Sequence, residues 1–403
     1  MYITREIEAK LESYLRQFKV VLVTGQRQAG KTTMLKQRLA ASYEYATLDD
    51  MNVLDLAASD PKGFFAADRL PLIVDEVQQA PDLFRHVKLT VDNLEPCGQI
   101  VLTGSQTYQL MQGVSESLAG RVGILELPTL SLREVLGRAG SGHYVPSKWE
   151  KADIPHLTSD ELWTHIQRGS MPRLQDPTVD WYDYYASYVK SYLERDVRQL
   201  INLKNERTFY KFMIACAART GQLLNLSDIA DTVDIDVKTA QGWLSILQAS
   251  GIVYVMQPFW ANTTKRLAKT PKLYFMDTGL ACYLTAWSAP EQLRLGAVSG
   301  QMFETFVVSE VLKSYMNAGR DTRSVSFYRD SAKREIDLVI QDGHTLHPVE
   351  IKAGVQVRAG RVQNFSCLQG LSGFEVGFGQ VICQTPEPYL ITRDVQAVPV
   401  CAI

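Results

Sequence analysis

The segment Gly25-Gln26-Arg27-Gln28-Ala29-Gly30-Lys31-Thr32 constrains this chain more than any other. It has the form G-x-x-x-x-G-K-[ST] and stands between a β-rich run, Lys19–Thr24, and a helix-forming stretch, Thr32–Ala41. The glycines let backbone N–H groups turn toward a phosphate chain, and the following helix directs its positive end at the same charge. Two more apolar runs, Leu70–Val74 and Gln99–Thr103, are separated by helical segments, and Gly123–Leu127 supplies a further strand. Buried strands alternating with helices predict a parallel sheet covered on both faces.

This loop predicts ATP bound with Mg²⁺. The contacting residues expected are Gly25, Gln28, Ala29, Gly30, Lys31, Thr32 and Thr33. Lys31 would bridge the β- and γ-phosphates, and the Thr32 hydroxyl would ligate Mg²⁺. Leu70-Pro-Leu-Ile-Val-Asp75-Glu76 reads as a second strand of the same site. Asp75 would hold the metal through water, and Glu76 would orient and deprotonate the attacking water. Thr103-Gly-Ser105 ends the next strand, where Ser105 is read as a γ-phosphate contact or as part of a plain turn. Arg121 precedes the last strand, either as a solvated surface arginine or as one that stabilises charge, in its own subunit or a neighbour's.

Composition bounds the rest. The 403 residues suit two or three domains, and 46% hydrophobic with 21% charged residues is globular. A formal charge of −2 excludes a bulk polycation, though not a local basic face. Six cysteines without a C-x-x-C pair argue against a metal cluster or disulfide scaffold and fit reduced cytosolic thiols. No apolar run approaches the roughly 20 residues of a membrane helix, and the opening MYITREIEAK lacks a signal-peptide core. A soluble cytoplasmic protein without a membrane segment is expected.

The Gly/Ser/Pro/Lys-rich stretch Gly137–Pro155 marks a boundary. The expected division is an ATPase domain over 1–140, a helical and winged-helix domain over 141–295, and an α/β domain over 296–403. In the middle part, Leu226–Ala230 and Val237–Gln248 read as two helices capped by Ser227 and Asp236. Val253–Met256 and Leu273–Met276 follow as a hairpin, the order of a winged helix. Val237, Ala240, Leu244 and Leu247 would pack inward, leaving Lys238, Thr239 and Gln241 outward. Lys265, Arg266, Lys269 and Lys272 lie on the connecting stretch with no acid among them. These cations suit DNA phosphates, although a winged helix also docks proteins. The aromatic face Trp181, Tyr185, Tyr188, Tyr192 reads as core rather than as a base-stacking platform.

In the last part, Asp337 opens one strand, and Glu350-x-Lys352 lies on the next with both side chains on one face. With Glu304 from the helix Phe303–Tyr315, two or three carboxylates and a lysine form a candidate Mg²⁺-dependent nuclease site; a surface ion pair is the alternative.

Taken together, GQRQAGKT at 25–32, LPLIVDEVQ around Asp75-Glu76, LTGSQ at 102–106, LAGRV with Arg121, TGQLLNLSDIA at 220–230 and KTPKLYFMDTGLA at 269–281 resemble a prokaryotic family of AAA-type P-loop ATPases. In that family the C-terminal domain has no assigned function. Here it resembles a restriction-endonuclease-like fold through Glu304, Asp337, Glu350 and Lys352. The resemblance implies Mg²⁺-dependent ATP hydrolysis at Lys31, Thr32, Asp75 and Glu76. It also implies a homo-oligomer in which Arg121 completes a neighbour's site. The expected function is an ATPase that binds, remodels or processes DNA, including branched DNA. The alternative is an ATP-switched regulator or scaffold whose winged helix docks protein and whose nuclease-like domain is inactive.

Overall fold

The computed structural model describes residues 2–104, 118–140, 142–150, 154–155, 157–193, 206–259 and 270–403. Five strands, β1 (Val20–Thr24), β2 (Glu44–Thr47), β3 (Leu72–Asp75), β4 (Ile100–Thr103) and β5 (Val122–Glu126), form one parallel sheet in the order β2-β3-β4-β1-β5. All five residues of β1 are buried, as a central strand covered on both faces requires. Alternation along β1 splits the packing. Val20 and Leu22 join Leu72, Phe84 and Leu102 in one core, while Val21 and Val23 join Ile7, Leu11 and Leu35 in the other.

Helices at Ser159–Arg168, Trp181–Tyr192, Glu206–Ala217, Leu226–Val233 and Val237–Ala249 make up most of the middle region. A small antiparallel sheet, β6 (Gln222–Leu223), β8 (Lys272–Phe275) and β7 (Val253–Met256), lies beside them. Asp236 caps the second of the paired helices, as expected, but Asn225 rather than Ser227 caps the first. Trp181, Tyr185, Tyr188 and Tyr192 are all buried, so the aromatic face is core.

The Ser299–Asn317 helix precedes a mixed sheet in the order β14-β15-β13-β11-β10-β9, with β12 pairing β11. These strands are β9 (Val325–Arg329), β10 (Glu335–Asp342), β11 (Thr345–Ile351), β12 (Glu375–Val376), β13 (Gly379–Cys383), β14 (Tyr389–Thr392) and β15 (Val395–Pro399). A hydrophobic cluster spans Leu132 to Ile403, so the middle and C-terminal regions share one core. All six cysteines are free thiols. Among the described residues, no helix is long and apolar enough to cross a membrane.

Candidate functional site

The strand, loop and helix predicted around Gly25–Thr32 form at the carboxyl end of β1, and the helix runs from Lys31 to Leu39. Gly25 has φ +133°, and a Cβ there would lie 2.1 Å from the Leu127 carbonyl oxygen, so no side chain fits. Gly30 caps the helix in the left-handed region with φ +95°. The Lys31 ammonium is buried and donates to the carbonyls of Gly25 at 2.9 Å and Gln26 at 3.0 Å. Both acceptors belong to the phosphate loop itself, so they fix the ammonium at the loop.

Parallel pairing brings the ends of β1, β3 and β4 to the same edge of the sheet. There Asp75 Oδ2 accepts from Thr32 Oγ1 at 2.9 Å and from the Tyr45 hydroxyl at 2.6 Å. Asp75 Oδ1 is buried without a partner, as is Thr103 Oγ1. An orphaned carboxylate oxygen beside a threonine hydroxyl is an oxygen donor set suited to Mg²⁺. Glu76 adopts a left-handed backbone, φ 57°, directly after the strand. Burial raises its pKa, opposed by the Gln78 side-chain hydrogen bond and by the charge of Lys31. Ser105 lies outside the described residues.

A cavity of about 750 Å³ opens over this edge. Gln28, Gly30, Lys31, Thr32, Thr33 and Glu76 line one side of it; Pro172, Arg173 and Gln175 of the middle region line the other. Arg168 shapes that second wall by donating to the carbonyls of Leu174 at 2.7 Å, Asp176 at 2.9 Å and Val179 at 2.7 Å.

Arg121 stands elsewhere. It precedes β5, whose Val122 pairs with Val20 at the start of β1, so it lies at the edge opposite the loop. A five-residue strand spans about 16 Å, which puts Arg121 out of reach of its own subunit's site. Its guanidinium is half-exposed and pairs with Asp92 at 2.5 Å. Action within the same subunit is therefore corrected by the parallel topology.

Of the expected DNA contacts, Lys238 is exposed on the Val237–Ala249 helix, while Lys265, Arg266 and Lys269 lie outside the described residues. Val237, expected inward, is 46% exposed, and Trp243 is buried beside Ala240, Leu244 and Leu247. Lys272 is a correction. It is not on an open basic loop but on β8, 3% exposed, with Nζ 3.0 Å from Glu304 Oε1 and 2.6 Å from Glu335 Oε1. Burial alone would lower its pKa, but Glu304 and Glu335 outweigh that and hold it protonated.

The C-terminal residues are brought together in part. Lys352 Nζ lies 3.2 Å from Asp337 Oδ2 and 2.7 Å from Glu350 Oε1. The Ile351 amide donates to Asp337 at 2.8 Å, and Glu350 Oε2 is buried without a partner. Glu304 instead accepts from Lys272 and, at 2.7 Å, from the Tyr274 hydroxyl. Among the described residues no group of three or more His, Cys, Asp or Glu side chains is set to hold a metal ion. The carboxylates expected to hold a nuclease metal are instead in contact with lysine ammoniums, Glu304 with Lys272 and Asp337 and Glu350 with Lys352.

Residues 17–136 match the AAA domain family model. This region is an AAA-type P-loop ATPase domain. The chain beyond the ATPase domain matches two domains of unknown function, DUF8612 over 159–291 and DUF4143 over 299–403. Uncharacterized proteins of Mycobacterium tuberculosis and Mycobacterium bovis are each 29% identical to this chain over 354 residues, 86% of this chain and 73% of the relative. Among solved structures, the Walker-type ATPase paby2304 of Pyrococcus abyssi is 15% identical, covering 69% of this chain and 94% of its own, with a TM-score of 0.44. AMPPCP-bound DnaA from Aquifex aeolicus is also 15% identical, covering 60% and 85%, with a TM-score of 0.28. Likenesses at these scores carry no assignment.

Three residues of the ATPase site have no local signature. Arg5 is buried and donates to the Ala29 carbonyl within the phosphate loop at 2.8 Å, to the Pro128 carbonyl at 2.8 Å and to Glu134 at 2.9 Å. The Gln26 side chain donates to the Tyr188 hydroxyl at 3.0 Å, tying the loop to the aromatic helix. Arg173 faces the loop across the cavity. Each depends on a partner far along the chain; only the density of aromatic residues at 181–192 hinted at one of them.

Proposed function

We propose that this protein is a Mg²⁺-dependent ATPase that acts on DNA, with hydrolysis coupled to its middle region. The observation that carries the coupling is the shared cavity: the phosphate loop forms one wall and the Pro172–Gln175 segment the other. The Gln26–Tyr188 hydrogen bond adds a second tie between the same two parts. Lys31 and Thr32 hold phosphate and metal, Asp75 offers its free oxygen to the hydrated metal, and Glu76 takes the proton of the attacking water. Bound Mg²⁺ supplies charge neutralisation across the phosphates. The helix pair 226–249 with the β7–β8 hairpin supports a winged-helix reading, on which Lys238, Lys265, Arg266 and Lys269 grip DNA phosphates. Arg121, exposed at the far edge, serves a neighbouring subunit in a homo-oligomer.

The test is the steady-state ATPase rate with Mg²⁺, alone and with duplex, single-stranded or four-way-junction DNA. Stimulation by one form is expected; an intact basal rate indifferent to all three rejects DNA coupling. Replacing Lys265, Arg266 and Lys269 together is expected to weaken DNA binding and lower the slope of log affinity against log salt by about 2–3. An unchanged slope shows that these three cations do not face DNA.

Glu76→Gln is expected to retain ATP binding while turnover falls by about 10²-fold or more. Because burial raises the Glu76 pKa above its ordinary 4.5, the base is lost at a higher pH than an exposed glutamate would be. The acid limb of kcat/KM, which reports the free enzyme, should therefore lie above pH 4.5, measured from about pH 3.5 to 8. A limb at or below that value removes Glu76 from the role of base.

The second reading, an ATP-switched regulator or scaffold with an inactive nuclease-like domain, is favoured by one observation: Lys272 and Tyr274 occupy Glu304.

A further inference from the structure

The acidic cluster in the C-terminal region already contains a cation. Lys272 comes from β8 of the middle region, Glu304 from the Ser299–Asn317 helix, and Glu335 from the first position of β10. One ammonium joins all three elements, at 3.0 Å from Glu304 and 2.6 Å from Glu335. Its side chain is 4% exposed, whereas those of Glu304 and Glu335 are 18% and 26% exposed. The donors around it are arranged in the same sense. Tyr274, two residues along β8, donates to the same Glu304 oxygen at 2.7 Å, and Arg329 of β9 holds the other oxygen of Glu335 at 3.0 Å. The ammonium also stands 5.4 Å from the centre of the Phe327 ring, a cation–π distance.

We propose that Lys272 is the resident cation of this cluster, an ammonium in place of a divalent metal, and that it clamps the middle hairpin to the C-terminal sheet. An ammonium donates three hydrogen bonds and carries one charge, which matches two carboxylates already shared with Tyr274 and Arg329. A bound Mg²⁺ would have to displace these donors, since Lys272 and Tyr274 share one oxygen of Glu304 while Lys272 and Arg329 hold both oxygens of Glu335. Asp337 and Glu350 are occupied separately by Lys352. The carboxylates that a nuclease would gather on a metal are thus divided between two lysines. The inference is independent of whether the ATPase responds to DNA.

Calorimetric titration of the nucleotide-free full chain with MnCl₂ tests it. The wild-type chain and a Glu335→Gln variant are expected to give the same isotherm, because the cluster takes no metal in either. Lys272→Met is expected to lower Tm by roughly 5 °C, since it leaves the half-buried Glu304 without its cation and Glu335 with Arg329 alone. Adding Glu304→Gln to Lys272→Met is expected to recover part of that loss, because one of those charges is then removed. A Mn²⁺ equivalent in the wild type that disappears in Glu335→Gln overturns the proposal, and so does an unchanged Tm in Lys272→Met. A double variant no more stable than Lys272→Met alone also overturns the clamp. Should Lys272→Met not fold, the two isotherms decide by themselves.

Discussion

Lys31→Ala is expected to reduce ATP turnover by about 10³-fold and to remove the stabilisation that ATP confers. The ammonium is the cation of the phosphate loop, buried and donating to the carbonyls of Gly25 and Gln26, which aims it into the loop where a phosphate chain would lie. In the wild type, ATP at a hundred times its Kd should stabilise the fold by about 2.7 kcal/mol, visible as a rise in Tm. The variant should show little of that rise while keeping its far-UV circular dichroism. Turnover near the wild-type rate would remove Lys31 from the site altogether.

Arg5→Met is expected to cost about 3–5 kcal/mol of stability, read by chemical denaturation. The Arg5 guanidinium is an isolated hub: it reaches Glu134 and the carbonyls of Ala29, Pro128 and Thr129 at once. Without it, Glu134 loses its cation in a nearly dry setting, 2% exposed, and the carbonyls lose a donor. Arg5→Lys should recover only part of the loss, because one ammonium cannot reproduce a planar fork aimed at separate acceptors. Since Ala29 belongs to the phosphate loop, the KM for ATP should rise in both variants at temperatures where they remain folded. A loss within ±0.5 kcal/mol would mean that the buried pair contributes nothing to stability.

What was legible in the sequence depended on how local its cause is. The phosphate loop was readable because its glycines and the flanking strand and helix are neighbours, and Gly25 answers to a steric demand that no side chain meets. The hairpin strand Val253–Met256 formed where the sequence predicted it. Tyr185 and Tyr188 were readable as core from helical spacing. Lys272 was not. In sequence it follows three cations, which suggested an open basic loop, but its register on β8 turns it toward two glutamates supplied more than thirty residues later. Val237 failed for a milder reason: it opens its helix at a position exposed to solvent, beyond the packed face formed by Ala240, Trp243, Leu244 and Leu247. Arg5 gave no signal because its partners are distant in the chain and mostly backbone carbonyls.

The cluster that runs from Leu132 to Ile403 also bears on how this protein can be taken apart. The Ser299–Asn317 helix is buried along most of its length, with Phe303, Phe306, Val307 and Val311 in that cluster alongside Trp163, Phe212 and Tyr274. A cut near residue 296 would divide these side chains between two fragments and give each a large wet apolar face. The two regions should therefore melt in a single transition, and neither fragment should be recoverable as a monomer. Inheritance would follow the same logic: these two regions are expected to travel between genomes as one piece rather than as interchangeable parts.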